Sequence, residues 1–253
     1  MPDQREIYNR NAKQYERLVS KEDPQGNIIS ALQKIHPFQG HKIVELGAGT
    51  GRLNRMLAPL VSDIWLFDSS HHMLEFASKV LKTGAKVNWR PVIADHRNIP
   101  LIDGIADIVI SGWTVCYLVA WIETSWRKAV GQALEKIERV LGQQGIIILL
   151  ETLGTGYEKP KIPKGFEDYY KYLEEAGFNR RWIRTDLAFE TLLRSQGIDG
   201  LLLWRRDGRK GGGRENGNGT RMHWYLVEKG LTFAKRKRGT ICGIGLGIGD
   251  IRI

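Results

Sequence analysis

The sequence predicts an α/β fold, a three-layer sandwich whose helices cover both faces of a mostly parallel sheet, and three observations predict it. Strand-like and helical runs alternate from residue 42 to residue 151. The strand runs are apolar throughout, as strands buried on both faces are. The first of them ends in a glycine-rich turn that opens a helix.

Residues 4–19 read as an amphipathic helix, with Ile7, Ala12, Tyr15 and Leu18 at three- and four-residue steps. A second helix over 27–35 is closed by His36-Pro37. Strand 42–46 leads through glycines to helix 53–60, strand 64–68 to helix 72–81, and strand 87–94 through a loop to strand 106–111. Residues 121–141 read as one long helix and 145–151 as an Ile/Leu-rich strand. A Gly/Pro/Lys loop follows, then helix 166–176 stopped by Gly177, then a strand over 181–189. Beyond Arg194 periodicity gives way to GRKGGGRENGNGT and KRKRGTICGIGLGIGD. There are no internal repeats.

A chain of 253 residues suits one medium domain with a genuine core. Its net charge of +10 suggests nucleic acid, but the charge is unevenly placed. Residues 194–253 hold 13 Lys/Arg against 5 Asp/Glu and 14 of the 29 glycines, whereas residues 1–193 hold 25 against 23. The body is close to neutral, so nucleic acid is not the favoured partner. Two cysteines make neither a disulfide framework nor a metal site, and His71-His72 lacks a third ligand nearby, so no metal is expected. The polar start, and the absence of any apolar run near the ~20 residues that span a bilayer, predict a cytoplasmic protein without a membrane partner.

Gly47-x-Gly49-x-Gly51 between a strand and a helix is a place where backbone approaches a ligand, because glycine lacks the Cβ that would intervene. A dinucleotide loop wants Gly or Ala at the sixth position, where Arg52 stands. Glu45, just before the glycines, would also repel a pyrophosphate.

Val44-Glu45-Leu46-Gly47-Ala48-Gly49-Thr50-Gly51 resembles motif I of class I, Rossmann-like methyltransferases that use S-adenosylmethionine (SAM), and later segments resemble further family motifs in the family's order. The resemblance implies that Glu45, Gly47, Ala48, Gly49 and Gly51 cradle the cationic amino-acid end of SAM. Asp68-Ser69-Ser70, with Met73, resembles the segment whose acid takes the ribose hydroxyls, which points to Asp68, Ser69 and Met73. A helix N-cap is the plainer reading of Asp68. Asp95-His96 resembles the loop that meets adenine, Asp95 through its carboxylate and His96 through its backbone N–H. A solvated loop acid is the plainer reading there. The stretch 106–113 resembles the strand leading to the methyl group: Asp107 would fix the strand's entry, while Ser111, Trp113 and Tyr117 are candidates for the pocket wall, the two aromatics being equally good as core. Tyr8 to Tyr15 resembles a lid helix in which a tyrosine, here Tyr15, closes over SAM.

The implied organisation is a helical lid (1–40), a SAM-binding domain (41–193) and an aberrant basic, Gly-rich segment (194–253). Back-translated with suitable codons and read one nucleotide later, 202–210 can spell F-F-G-E-E-M-A-E-K and 220–227 P-E-C-T-G-I-W-W, resembling the segments with which relatives end. A frame disruption near Arg194 would account for this and would leave the last strand altered. The strand-like HWYLV (223–227) could fill its slot, antiparallel, between the fifth and sixth strands, while 205–221 and 235–253 should be poorly ordered.

The activity implied is methyl transfer from SAM to a small-molecule acceptor. An RNA or protein acceptor, or a SAM-binding but inactive product of a damaged gene, are the other readings. No catalytic residue is assigned; His96 and Tyr117 are the candidates for a general base.

Overall fold

The computed structural model describes Tyr8 and residues 11–82, 88–122, 124–155, 159–188 and 219–230. Helices α1 (Ala12–Val19) and α2 (Asn27–Ile35) precede β1 (Lys42–Leu46), α3 (Arg52–Leu57), β2 (Asp63–Asp68), α4 (His71–Leu81), β3 (Asn88–Ile93) and β4 (Ala106–Gly112). Then come α5 (Cys116–Trp121), α6 (Trp126–Val140), β5 (Leu141–Thr155), α7 (Glu167–Glu175), β6 (Asn179–Ala188) and β7 (Gly219–Gly230). The strands form one sheet in the order β3-β2-β1-β4-β5-β7-β6. The first five are parallel, and β7 runs antiparallel to both its neighbours.

Strand alternation divides the core into two layers. Ile43, Ile64, Leu66, Ile108, Ile110 and Ile148 pack with Ile28, Leu32, Leu53, Leu57, Leu74 and Leu81 from α2, α3 and α4. Val44, Leu46, Phe67, Val109, Ile147 and Leu149 pack on the opposite side with Val130, Leu134 and Ile137 of α6 and with Tyr169, Tyr170 and Leu173 of α7. Fully burying each such side chain stabilises the fold by about 1.5–3 kcal/mol, so the sheet is fixed from both sides. This is the sandwich that the apolar strands predict.

Local signals set the element ends. His36 is extended (φ −152°, ψ 142°), as a residue before proline must be, and α2 stops there. Gly177 takes φ +88°; its N–H reaches the Glu174 carbonyl and the Phe178 N–H reaches Leu173, which closes α7 in a Schellman turn. Asp107 accepts the Lys42 N–H at 2.8 Å, tying the entries of β4 and β1.

Three expectations are corrected. The helix expected over 121–141 begins only at Trp126 as α6, and a separate helix, α5, ends at Trp121 where it was expected to start. Ile122 leaves helical geometry, and Thr124-Ser125 are residue types that start helices rather than continue them. β5 is far longer than 145–151, because β4 pairs with it from Leu141 through a register shift and β7 pairs with it out to Thr155. The third concerns order: residues 219–221, expected to be poorly ordered, belong to β7, which carries the 223–227 run into the predicted slot between β5 and β6. The rest of 205–218 and 235–253, and most of the helix expected over 4–10, lie outside the described residues. Among the described residues no helix is long and apolar enough to cross a membrane.

Candidate functional site

A cavity of about 330 Å³ opens at the C-terminal ends of β1, β2 and β4. Its walls come from the turn after β1 (Leu46, Gly47, Gly49), the end of β2 (Phe67 to Ser70) and the loop after β3 (Ala94 to Arg97). Gly112 to Thr114, the α5 face with Tyr117, Leu118, Trp121 and Ile122, and the N-terminal Tyr8 and Tyr15 complete it. Parallel sheets present ligands at this edge because the strand order reverses there, here between β1 and β4.

The glycine turn explains how the backbone reaches the cavity. Gly47, Gly49 and Gly51 have φ of +69°, +51° and +85°, values that disfavour any side chain. At Gly47 space forbids one as well: a Cβ would lie 2.5 Å from the Thr114 Cβ. Across the turn, Asp68 joins two elements. One carboxylate oxygen accepts the Gly49 N–H and the other the Ser70 N–H, each at 2.8 Å. Burial raises the Asp68 pKa and these amides oppose the rise. Each oxygen keeps a lone pair for a hydroxyl donor. The N-cap alternative for Asp68 is excluded, since Ser70 caps α4 through the Met73 N–H.

Asp95 is clamped two residues along its own loop. The Arg97 guanidinium donates to both its oxygens at 2.7–2.8 Å, and the Arg97 N–H donates as well. These bonds hold the carboxyl down to about 2. The neighbouring His96 is shifted downward by burial, and its Nε2 is buried without a hydrogen-bond partner. Its ordinary state near neutral pH is therefore the uncharged imidazole.

The N-terminal segment is fastened over the turn. Ser70 Oγ donates to the Tyr8 carbonyl at 2.8 Å, Arg55 to Glu16 at 2.8 Å, and Arg52 pairs with Glu22. The Arg52 guanidinium also lies 4.5 Å from the Trp113 ring centre. Trp113 has φ +54°, a conformation that costs a bulky residue on the order of 1–3 kcal/mol and concentrates at functional sites.

Of the residues singled out from sequence, Tyr15, Gly47, Gly49, Asp68, Ser69, Asp95, His96, Trp113 and Tyr117 line the cavity. Glu45, Ala48, Gly51, Met73 and Ser111 do not. Ala48 and Met73 are core, and Gly51 is the N-cap of α3, packed on Ala77. Glu45 lies beneath the turn, 1% exposed, with Oε2 unpartnered; burial, then the charge of Asp68, push its pKa well up. Ser111 is likewise buried, its Oγ without a partner. Tyr8, Ser70, Arg97, Thr114 and Trp121 line the cavity without having been predicted to. Trp121 was findable, being four residues after Tyr117 and so on the same helix face. Thr114 was not, because only the fold brings it against Gly47. Among the described residues no His/Cys/Asp/Glu group could hold a metal ion.

Residues 44–149 match the family described as "Methyltransferase domain". The chain is 29% identical over 149 residues to a malonyl-[acyl-carrier protein] O-methyltransferase of Legionella pneumophila, covering 58% of this chain and 48% of that protein. It is 27% identical over 144 residues to the protein of the same name from Geobacter sulfurreducens, covering 56% and 50%. The chain thus spans about half the length of the curated relatives it matches. The crystal structure of a SAM dependent methyltransferase from Aquifex aeolicus superposes with a TM-score of 0.50 at 15% identity, covering 89% of this chain and 93% of that one. At that identity the likeness is one of fold.

Proposed function

We propose that this chain, which carries a class I, Rossmann-like methyltransferase domain, binds SAM in the cavity and transfers its methyl group to a small-molecule acceptor. The observation that carries the reading is Asp68: a buried carboxylate at the end of β2, bonded to the Gly49 amide, on the cavity wall and with acceptor capacity left over. The residues fit the cofactor. Gly49 leaves room for a ligand against bare backbone, Gly47 lets the turn pass against Thr114, Asp68 suits vicinal hydroxyls, and Asp95 with the His96 backbone suits the edge of a base. Glu45 lies beneath the turn, off the cavity wall, with one orphaned oxygen, and supports the turn from below.

When bound, SAM supplies a methyl group activated by a positively charged sulfur. The chain's own residues bind, orient and exclude water. Tyr8 and Tyr15 serve as the lid, with Tyr8 held by Ser70, and Glu16 and Glu22 beyond them held by Arg55 and Arg52. Burial lowers the His96 pKa and so favours its uncharged form. The curated relatives are named for a carrier-bound malonyl group; a half-length match does not carry that acceptor across.

Calorimetry tests the reading. Saturable heat from SAM and from S-adenosylhomocysteine (SAH), and none from a nicotinamide dinucleotide, is the expected result. Dinucleotide binding without SAH binding refutes it.

A further inference from the structure

The other end of the cavity is built from rings. Tyr8, Tyr15, Tyr117 and Trp121 form a continuous chain: Tyr15 to Tyr8 at 5.4 Å between ring centres, Tyr8 to Tyr117 at 5.9 Å, and Tyr117 to Trp121 at 4.7 Å. Tyr117 and Trp121 are stacked at 20°, and Tyr8 stands edge-on to Tyr117 at 78°, so the rings make walls at nearly right angles. A 2.7 Å bond between the Tyr8 and Tyr117 hydroxyls fixes that corner in advance of any ligand. Leu118 and Ile122 complete this end.

Charge is distributed to match. Among the described residues, the formally charged ones lining the cavity are Asp68, Asp95 and Arg97, all on the β2 and β3 side. Arg97 is neutralised against Asp95, which leaves the wall negative through Asp68. Among the described residues that line the cavity, no lysine or arginine lies on the aromatic side.

We propose that the corner formed by Tyr8, Tyr117 and Trp121 is the acceptor subsite and that it takes an amine, holding the methylated ammonium product by cation–π contact. This deepens the methyltransferase reading and rests on it. An aromatic corner binds positive charge without a counter-ion, and a neutral amine becomes positive as it is methylated. The amine lone pair forms the new C–N bond while the S–C bond breaks with its electrons going to sulfur. Positive charge therefore passes from sulfur to nitrogen, and a secondary or primary amine then gives its surplus proton to water. An O-methylation of a carboxylate would instead begin with an anion facing rings and a negative wall.

Three isosteres separate these outcomes: choline as cation, 3,3-dimethylbutan-1-ol as neutral form and 3,3-dimethylbutanoate as anion. Each is titrated into the full chain with and without saturating SAH, following tryptophan fluorescence and heat. The expected result is that choline binds about tenfold more tightly than the alcohol and the anion binds weakest. Trp121→Leu, at a residue 39% exposed and so removable from the fold at little cost, should erase that preference and leave SAH affinity within about twofold. Equal binding of the three, tighter binding of the anion, or no saturable choline binding overturns the proposal. SAH is titrated separately, so a failure of the cofactor reading is seen as loss of that signal, whatever the isosteres do.

Discussion

Gly47 passes so close to Thr114 that a methyl group on its Cα would lie within 2.5–2.8 Å of the Thr114 Cβ, Cγ2 and Oγ1. The turn after β1 and the turn after β4 are thus in backbone-to-side-chain contact, and both face the cavity. Gly47→Ala adds two penalties, the clash and a positive φ worth roughly 1–2 kcal/mol. SAH affinity should fall at least about tenfold, with a lowered melting temperature. In a Thr114→Gly background only the backbone penalty remains. A double-mutant cycle by calorimetry should therefore show coupling of about 1 kcal/mol or more. Additive effects would mean that the contact does not govern the turn.

Asp68→Asn keeps shape and removes charge. Its carboxylate receives two backbone N–H groups on different oxygens, so an amide must turn its own NH₂ toward one of them. Loss of charged hydrogen bonds of this kind costs about 1.5–3 kcal/mol, or roughly 10- to 100-fold in SAH affinity. The ribose assignment adds a sharper readout. The wild type should prefer methylthioadenosine to its 2′-deoxy analogue, and Asp68→Asn should not. An undiminished preference would move the ribose contact to another residue.

Glu151 titrates near neutrality for a structural reason. It is buried at the C-terminal half of β5 and accepts the Tyr169 hydroxyl at 2.9 Å; desolvation pushes its carboxyl up to about 7. In the unfolded chain it ionises near ~4.3. The folded pKa is the higher, so the stability gained by keeping it protonated is complete below the unfolded pKa. That stability is lost as pH rises through about 7. The difference corresponds to about 3 kcal/mol by pH 8. Glu151→Gln, which still accepts from Tyr169, should flatten the fall in melting temperature between pH 5 and pH 8. Parallel curves for the two proteins would show that Glu151 ionises in the fold without penalty.

Strands β1, β2, β4 and β5 were legible because burial on both faces leaves a largely apolar run, whereas β3, at the end of the sheet, is exposed or half-buried throughout; the glycine turn was legible because positive φ is written as glycine. What escaped depends on tertiary partners. The helix expected from Trp121 begins only at Trp126, because Trp121 already ends α5 and Ile122 leaves helical geometry. The length of β5 is set by β4 and β7, neither of which is near it in sequence terms. At the site, motif resemblance named Glu45, Ala48 and Met73, but a motif cannot say which of its residues face the ligand and which support the turn from beneath. The Arg97 clamp on Asp95 was equally hidden, since two loop residues pair only if the backbone turns between them.

Strand β7 should matter for stability far more than for the cofactor. It pairs with β5 from Ile146 to Thr155 and with β6 from Asn179 to Ala188, and β6, at the end of the sheet, has no other strand beside it among the described residues. Ending the chain before Gly219 would expose both partners' hydrogen-bonding edges, with insolubility or loss of a cooperative melt as the expected outcome. Leu226→Pro is the milder version: Leu226 sits opposite both Leu150 and Arg181, so proline breaks a ladder in mid-sheet. The described residues lining the cavity, by contrast, all lie between Tyr8 and Ile122. A chain carrying P-E-C-T-G-I-W-W, the segment expected from a shifted frame, in place of 220–227 should therefore melt at a different temperature. It should bind SAH within about threefold of the original, because no cavity wall changes. A gain of tenfold or more in SAH affinity would show that the seventh strand shapes the binding site as well as the sheet.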